Sequence, residues 1–188
     1  MKKIIYLLAL TFIASSVFMA CDDDDNPSPF KRITLGAQDN TTIGGFYSIA
    51  DQKVYTLDQA TTKQETIDLL CFYEEGRNNI TIASPGANIT GIFTGDNSPE
   101  NWTVTDTTYF CQVDSAVFYV DAFDALTEND AIIQTLFDTE NNYRKAKLLE
   151  ENDIYAFQTE DNLYGLFKVV SVTQGETGSV EIDYIIKK

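Results

Sequence analysis

The chain has 188 residues, of which 29 are acidic and 13 basic, so its formal net charge at pH 7 is −16. Such a charge argues against nucleic acid as a partner, because binding it relies on lysine and arginine to neutralise phosphates. Histidine is absent, which excludes Ser-His-Asp and Cys-His catalysis and histidine-ligated zinc.

The first twenty residues have the composition of a secretory signal peptide. Lys2 and Lys3 supply a positive start, and residues 4–19 are apolar with small polar interruptions. This run is shorter than the roughly 20 apolar residues that a membrane-spanning helix needs, and acidic residues follow it. We therefore predict that residues 1–20 are a cleaved signal.

The dipeptide Ala20-Cys21 ends the apolar run. It resembles the lipobox of bacterial lipoproteins, with Phe18 and Met19 in place of the usual aliphatic and small residues. That resemblance implies that the thiol of Cys21 receives a diacylglycerol, whose acyl chains would bind the membrane, and that Cys21 becomes the first residue of the mature chain. The alternative is an ordinary signal peptide followed by an unmodified cysteine.

Residues 21–32 are predicted to form a solvated tether. Asp22 to Asp25, followed by Asn26-Pro27-Ser28-Pro29, are too charged and proline-rich to pack into a core. Four aspartates directly after the cysteine also resemble the export signal of surface-exposed Bacteroidetes lipoproteins. This implies display on the outer face of the outer membrane, whereas a merely solvating charge run is the alternative.

Residues 33–188 are long enough for a single globular domain with its own core. Residues 33–37 predict a strand, and FYSI-ADQ-KVYT predicts a hairpin turning at residues 50–52. Thr56 and Gln59 form a capping-box pattern for a helix over 57–64. Residues 65–73 carry apolar groups on both faces, which is typical of a strand inside a sheet.

Residues 79–94 are rich in β-branched side chains and predict two short strands separated by Ser84-Pro85-Gly86. An extended run follows over 107–120. Apolar residues at helical spacing within 122–137, after a Thr127 cap, predict short helices.

The C-terminal segment predicts a three-stranded meander with strands over 154–159, 164–173 and 179–187. We therefore expect an α+β fold that is strand-rich, with a mostly antiparallel sheet and two or three short helices. The segments ITLGAQDNTTIGGFYSIADQKVYT and VEIDYIIKK resemble parts of Bacteroidetes lipoproteins that have no assigned activity. That resemblance implies no functional residues.

Cys71 and Cys111 each lie in an apolar segment. In an oxidising envelope they can form a disulfide if their Cα atoms lie within about 7 Å of each other. The alternative is a pair of separate buried thiols.

The sequence contains no dinucleotide-binding, P-loop or EF-hand motif, so we expect no metal and no cofactor. Paired carboxylates remain as possible catalytic groups. Asp68 and Asp114 interrupt apolar segments, where burial would raise their pKa. Alternatively, each faces solvent or accepts hydrogen bonds from a neighbouring loop.

Trp102 lies in the polar segment GDNSPENWT, which predicts an exposed loop where the indole can stack on a sugar ring. Asp96, Asn97, Glu100 and Asn101 would supply hydrogen bonds to that sugar. The alternative for a single tryptophan is a role in packing.

Thr107 and Ser115 each follow an aspartate in a short pattern that resembles the O-glycosylation acceptor of Bacteroidetes envelope proteins. Thr107, near the start of a predicted strand, fits this role better than Ser115, which we expect inside the strand.

Three functions fit the sequence. The first is a non-catalytic surface module that binds a glycan or an envelope protein. The second is a glycoside hydrolase that uses two carboxylates, and the third is a structural or assembly subunit of an outer-membrane complex.

Overall fold

The computed structural model describes residues 28–188. The predicted signal peptide, Cys21 and Asp22 to Asp25 lie outside the described residues. The first strand begins at Lys31, two residues inside the segment predicted to be a tether. Arg32 belongs to this strand and donates two hydrogen bonds of 2.7 Å to the carboxylate of Asp183.

Most regular structure in the described residues is β-structure. The strands are β1 (Lys31–Gly36), β2 (Phe46–Ser48), β3 (Lys53–Tyr55), β4 (Leu69–Glu74), β5 (Asn79–Ala83), β6 (Tyr109–Gln112), β7 (Lys145–Ala146), β8 (Ile154–Gln158), β9 (Tyr164–Thr173) and β10 (Ser179–Ile186). The α-helices are α1 (Leu57–Thr61), α2 (Val120–Asp124) and α3 (Ile132–Thr135).

The strands form two five-stranded antiparallel sheets. Sheet A has the order β1-β10-β9-β8-β6, and sheet B has the order β3-β2-β4-β5-β7. The predictions of a strand-rich antiparallel fold and of the β8-β9-β10 meander are confirmed. Among residues 28–188, 14% are helical and 33% are in strands, so the fold is mostly β and the α+β description fits only in part.

The facing sides of the two sheets are buried against each other, and other segments cover much of their outer faces. Side chains such as Tyr47 and Ile82 of sheet B and Phe157 of sheet A form the core between the sheets. The outer face of sheet B is covered by α1 and residues 84–103, and that of sheet A by α2 and α3. This explains why β4 has no polar face over residues 69–72 and confirms its predicted position inside a sheet.

The two sheets are also joined by backbone hydrogen bonds at their edges. On one side, Gly36 N–H at the end of β1 donates to Gly44 O at 3.0 Å, just before β2. On the other side, Phe110 in β6 and Tyr143 exchange two backbone hydrogen bonds of 2.7 and 2.8 Å. The chain runs from Tyr143 directly into β7 of sheet B, so residues 143–147 connect the sheets. We call this junction the β6–β7 seam.

Several predicted elements differ in length. The capping box of Thr56 and Gln59 is confirmed, but α1 ends at Thr61, and residues 64–66 form a 3₁₀ turn before β4 begins. The second strand predicted within 79–94 does not form, because this segment turns its apolar side chains onto sheet B. Only part of the extended run predicted over 107–120 forms a strand, and this strand ends at Gln112. A tight turn follows, in which Asp114 O accepts hydrogen bonds from the N–H groups of Val117 and Phe118.

Within the described part of the chain, the helices are too short to cross a membrane.

Candidate functional site

Two surface cavities of similar size meet at Gln112, the last residue of β6. The first has a volume of about 560 Å³ and lies at the β6–β7 seam; we call it the Tyr143 cleft. It is lined by Ala87, Asn88, Phe110, Gln112, Tyr143, Arg144, Lys145, Lys147 and Tyr155. The second has a volume of about 530 Å³ and contains Asp114 and Asp153; we call it the Asp114 cavity.

The buried wall of the Tyr143 cleft is aromatic. Phe110 and Tyr155 are both buried, and the Tyr155 ring stacks on Phe167 with 5.1 Å between centroids. The Tyr155 hydroxyl donates to Lys147 O at 3.0 Å. Burial raises the pKa of Tyr155, so this hydroxyl keeps its proton at physiological pH. The wall is therefore a fixed apolar surface.

Tyr143 lies at the rim of this cleft with 69% of its surface exposed. Its backbone is held by the two hydrogen bonds to Phe110, so its position is set by the seam even though it lies outside a regular strand. Exposed aromatic rings next to polar groups are suited to stacking on a ligand. The ring thus offers a positioned binding surface.

Three cations surround the same cleft. Arg144 donates to Gly86 O, Lys145 donates to Asn88 O, and Lys147 forms an ion pair of 3.2 Å with Glu74. Lys145 and Lys147 share a face of the chain, as side chains two residues apart on a strand do. Each cation is positioned by a polar contact and retains further N–H donors for a ligand.

The pKa of Lys145 is lowered from its ordinary value. Burial is the largest cause, followed by repulsion from Lys147, and Arg144 adds to it, while Glu74 acts in the opposite direction. The lowered pKa therefore reflects burial first, and second the positive charges that lie together at this place on a negatively charged protein.

The Asp114 cavity has the opposite character. Its exposed Tyr119 (59%) lies beside the carboxylates of Asp114 and Asp153. Asp153 accepts hydrogen bonds from the Gln112 amide at 3.1 Å and from Glu150 N–H at 2.9 Å, and Asp114 accepts one from Ala116 N–H at 2.8 Å. Gln112 thus separates a cationic cleft from an anionic one.

The prediction that Trp102 lies exposed in a polar loop is wrong, and the alternative role in packing agrees with the structure. Trp102 is only 8% exposed, its ring lies 5.6 Å from that of Phe46, and its Nε1–H donates to Asn97 O at 2.9 Å. It anchors the covering segment to sheet B. The sequence interpretation failed because a polar loop folds back over the apolar outer face of the sheet.

The polar neighbours of Trp102 stabilise the loop that contains them. Asn97 donates to Asp58 at 2.8 Å, Glu100 accepts from Gly91 N–H at 3.1 Å, and Asn101 donates to Gly95 O at 3.3 Å. Asp96 is exposed beside them. None of these residues lines the Tyr143 cleft or the Asp114 cavity.

The two aspartates singled out from the sequence lie in different environments. Asp68 is partly buried and accepts a hydrogen bond of 2.7 Å from Ile49 N–H, and burial raises its pKa to about 6. Asp114 is exposed in the turn after β6, so the prediction that it interrupts a strand is wrong.

Asp106 was not singled out from the sequence, yet its pKa is also raised to about 6, by burial first and then by Glu160 and Asp161. Neither Asp68 nor Asp106 lines the Tyr143 cleft or the Asp114 cavity. Among residues 28–188, no group of acidic or cysteine side chains is arranged to hold a metal ion.

The structure does not bring Cys71 and Cys111 together, and both are free, buried thiols. Cys71 lies in the core between the sheets, whereas Cys111 faces α3 on the outer side of sheet A. Burial raises the pKa of both thiols, which disfavours the reactive thiolate.

The two predicted glycosylation residues differ in exposure. Ser115 lies in an exposed turn, whereas Thr107 is partly buried and its N–H donates to the Glu160 carboxylate at 2.7 Å. Glycosylation of either stays a prediction.

A crystal structure of a DUF4466 family protein from Parabacteroides merdae resembles this chain with a TM-score of 0.55 and 12% sequence identity. The match covers 86% of this chain and 54% of that one, so this chain spans about half the length of its neighbour. The likeness supports the expected Bacteroidetes-type resemblance at the level of the fold alone. No protein-family model and no curated protein matches the chain.

Sequence reasoning missed the Tyr143 cleft, although the sequence holds a signal for it. Residues 28–188 contain 11 of the 13 basic residues, and three of them fall within residues 143–147, YRKAK. A cationic cluster beside an aromatic residue is unexpected in so acidic a chain. The distant residues that complete the cleft, Asn88, Phe110 and Gln112, carry no comparable sequence signal.

Proposed function

We propose that the protein is a lipid-anchored component of the cell envelope that binds a glycan in the Tyr143 cleft without catalysing a reaction. The observation that carries this proposal is the open cleft itself, in which an exposed and positioned tyrosine lies next to hydrogen-bonding side chains.

The chemistry of the cleft suits a sugar. A sugar ring has apolar C–H faces that stack on an aromatic ring, and hydroxyl groups that need donors and acceptors around their edges. Tyr143 supplies the ring, while the amides of Asn88 and Gln112 and the cationic side chains supply polar partners.

The position of the cleft suits a tethered protein. The chain enters the fold at β1, at one edge of sheet A, and the cleft lies at β6, at the other edge. The two edges are four strand spacings apart, on the order of 19 Å. A protein anchored through Cys21 at the outer membrane would hold the cleft away from the point of attachment and available to an extracellular ligand.

A glycan array probed with the mature protein tests this function. We expect a glycan ligand whose affinity falls at least about tenfold in Tyr143→Ala, which corresponds to about 1.4 kcal/mol. Tyr119→Ala is the matched control, because Tyr119 is similarly exposed but lines the other cavity. If the wild-type protein binds no glycan, the proposal fails.

The second candidate function is glycoside hydrolysis in the Asp114 cavity, where Asp114 and Asp153 lie together. Hydrolysis needs one carboxyl group that carries a proton and donates it to the leaving group. Asp114 accepts an N–H hydrogen bond from Ala116, and Asp153 accepts two, from Gln112 and Glu150. Turnover of chromogenic glycosides at any pH from 4 to 8, abolished in Asp153→Asn, would favour the enzyme over the binding module.

A further inference from the structure

We infer that the glycan bound in the Tyr143 cleft is anionic and carries carboxylate or sulfate groups. This inference rests on the proposed function and deepens it by naming the ligand class.

The first argument is the distribution of charge. Residues 28–188 hold 11 basic and 25 acidic residues. Three of the basic residues, Arg144, Lys145 and Lys147, nevertheless line one cleft. Within the described residues, only Lys147 among them forms an ion pair, with Glu74. A cluster of like charges costs free energy unless an opposite charge compensates it. Binding of an anion would supply that compensation.

The second argument is the geometry of the donors. Arg144 is exposed, and its planar guanidinium can form two parallel hydrogen bonds with a carboxylate or sulfate group. Lys145 is half-buried, with its ammonium 5.3 Å from the centre of the Phe72 ring. Its interaction with an anion is therefore less screened by water than that of a fully exposed lysine.

The third argument is the contrast with the neighbouring cavity. Asp114 and Asp153 line the Asp114 cavity and would repel an anionic sugar. Gln112, which lines both cavities, donates its amide to Asp153. An anionic ligand is therefore directed to the cationic side of Gln112.

The rest of the protein limits the size of the anionic ligand. Its strongly negative charge disfavours long polyanions such as nucleic acids, and also anionic membranes, because both would extend beyond the cleft.

Matched pairs of short oligosaccharides, one charged and one neutral, test the inference. Suitable probes are short oligogalacturonates and their methyl esters, and sulfated and unsulfated N-acetyllactosamine. We expect the mature protein to bind a charged member at least about tenfold more tightly than its neutral partner. Equal affinity for both members, or binding of neutral glycans alone, overturns the inference but leaves the proposed function intact. Binding of no glycan overturns both.

Substitutions then locate the effect. We expect Arg144→Gln to weaken binding of the charged probe about tenfold and Arg144→Lys to weaken it less, while Lys31→Gln leaves it unchanged. Lys31 is an exposed lysine of β1, at the far edge of sheet A. Arg144 is exposed, so a thermal unfolding curve that matches the wild type is expected and shows that the fold is retained.

Salt dependence provides a second readout. Raising the salt concentration from 50 to 500 mM should weaken wild-type binding more than binding by Arg144→Gln, because the wild type has one more charge contact to screen. An unchanged affinity in a folded Arg144→Gln variant overturns the inference.

Discussion

Asp68 experiences two opposing effects on one carboxyl group. The hydrogen bond from Ile49 N–H stabilises the carboxylate, whereas burial favours the neutral acid. Burial prevails, and the nearby carboxylates of Asp106, Asp161 and Asp51 add repulsion, so the pKa rises to about 6. The pKa of an aspartate in this protein therefore depends on how far its position in the fold removes the carboxylate from water.

This raised pKa makes a prediction about stability. Because the pKa of Asp68 in the folded state exceeds the ordinary value of about 3.9, its protonated form favours folding. That contribution is present below about pH 4 and is lost as the pH rises through about 6. The wild-type protein should therefore lose unfolding free energy between pH 4 and pH 7. In Asp68→Asn we expect this loss to be smaller by on the order of 2–3 kcal/mol. Urea denaturation at the two pH values measures the difference.

The exposed Asp96 provides a control, since Asp96→Asn should retain the wild-type dependence on pH. An Asp68→Asn variant with the same pH dependence as the wild type would show that burial does not perturb this carboxyl group.

At the scale of elements, residues 84–103 act as a cover for sheet B. Trp102 holds this cover through its contact with Phe46 and its hydrogen bond to Asn97. Because the segment contains no regular strand or long helix, its position depends on such anchors. Ala87 and Asn88 of this cover also line the Tyr143 cleft, but they follow Ser84, whose backbone N–H donates to Arg144 O at 3.0 Å, so the cleft should remain when the Trp102 anchor is weakened.

Trp102→Ala should therefore lower the free energy of unfolding by about 3–5 kcal/mol, as expected for removal of a large buried aromatic side chain. Trp102→Phe should cost less because it keeps much of the packing. Under conditions where both variants are folded, glycan affinity should equal that of the wild type. A selective loss of affinity in folded Trp102→Ala would show that the anchored cover is needed to shape the ligand site.

The contact between the end of β1 and the start of β2, on the side of the sheets opposite the β6–β7 seam, gives a second prediction at this scale. A Cβ atom at Gly45 would lie 2.6 Å from Gly36 O, closer than real Cβ atoms approach other atoms, whereas one at Gly76 would meet nothing within 4 Å. Gly45→Ala should therefore lower the thermal unfolding temperature strongly, and Gly76→Ala should change it little. Similar unfolding temperatures for the two variants would show that the close approach of Gly45 to Gly36 does not contribute to stability.

The elements that were predictable from the sequence are those with a local signal. Alternation in β10 and apolar residues on both faces of β4 reflect how each strand is buried, and the Thr56 cap depends on Gln59 three residues away. The two-residue strand β7 is too short to show a period. The pairing of β1 with β10 and the folding of Trp102 onto Phe46 join distant segments, so no local pattern encodes them.

For the whole molecule, the proposed function places anchoring at Cys21 and glycan binding in the Tyr143 cleft. The acyl chains on Cys21 would provide membrane affinity, because more than one chain gives stable attachment. The described domain then needs no membrane-binding surface of its own. Its negative charge would keep it away from anionic lipid headgroups while the Tyr143 cleft remains accessible.

Cys21→Ser should therefore move the protein from the membrane fraction to the soluble fraction of the cell and leave its affinity for the glycan unchanged. Immunoblots of fractionated cells and binding assays on the released protein measure the two effects. Mass spectrometry of the native protein provides the direct check: an unmodified Cys21, or a retained leader, would contradict the anchoring proposal.

The pairing of β1 with β10 has a consequence for the export that we propose. Arg32 and Asp183, which meet across these strands, are 151 residues apart in the sequence. In a chain that passes through a translocation pore, β1 would emerge long before its hydrogen-bonding neighbour. Sheet A could then be completed only after nearly the whole polypeptide had crossed, and contacts this distant in sequence form slowly. In the interval, β1 would present an unpaired edge, and periplasmic chaperones would protect it against aggregation.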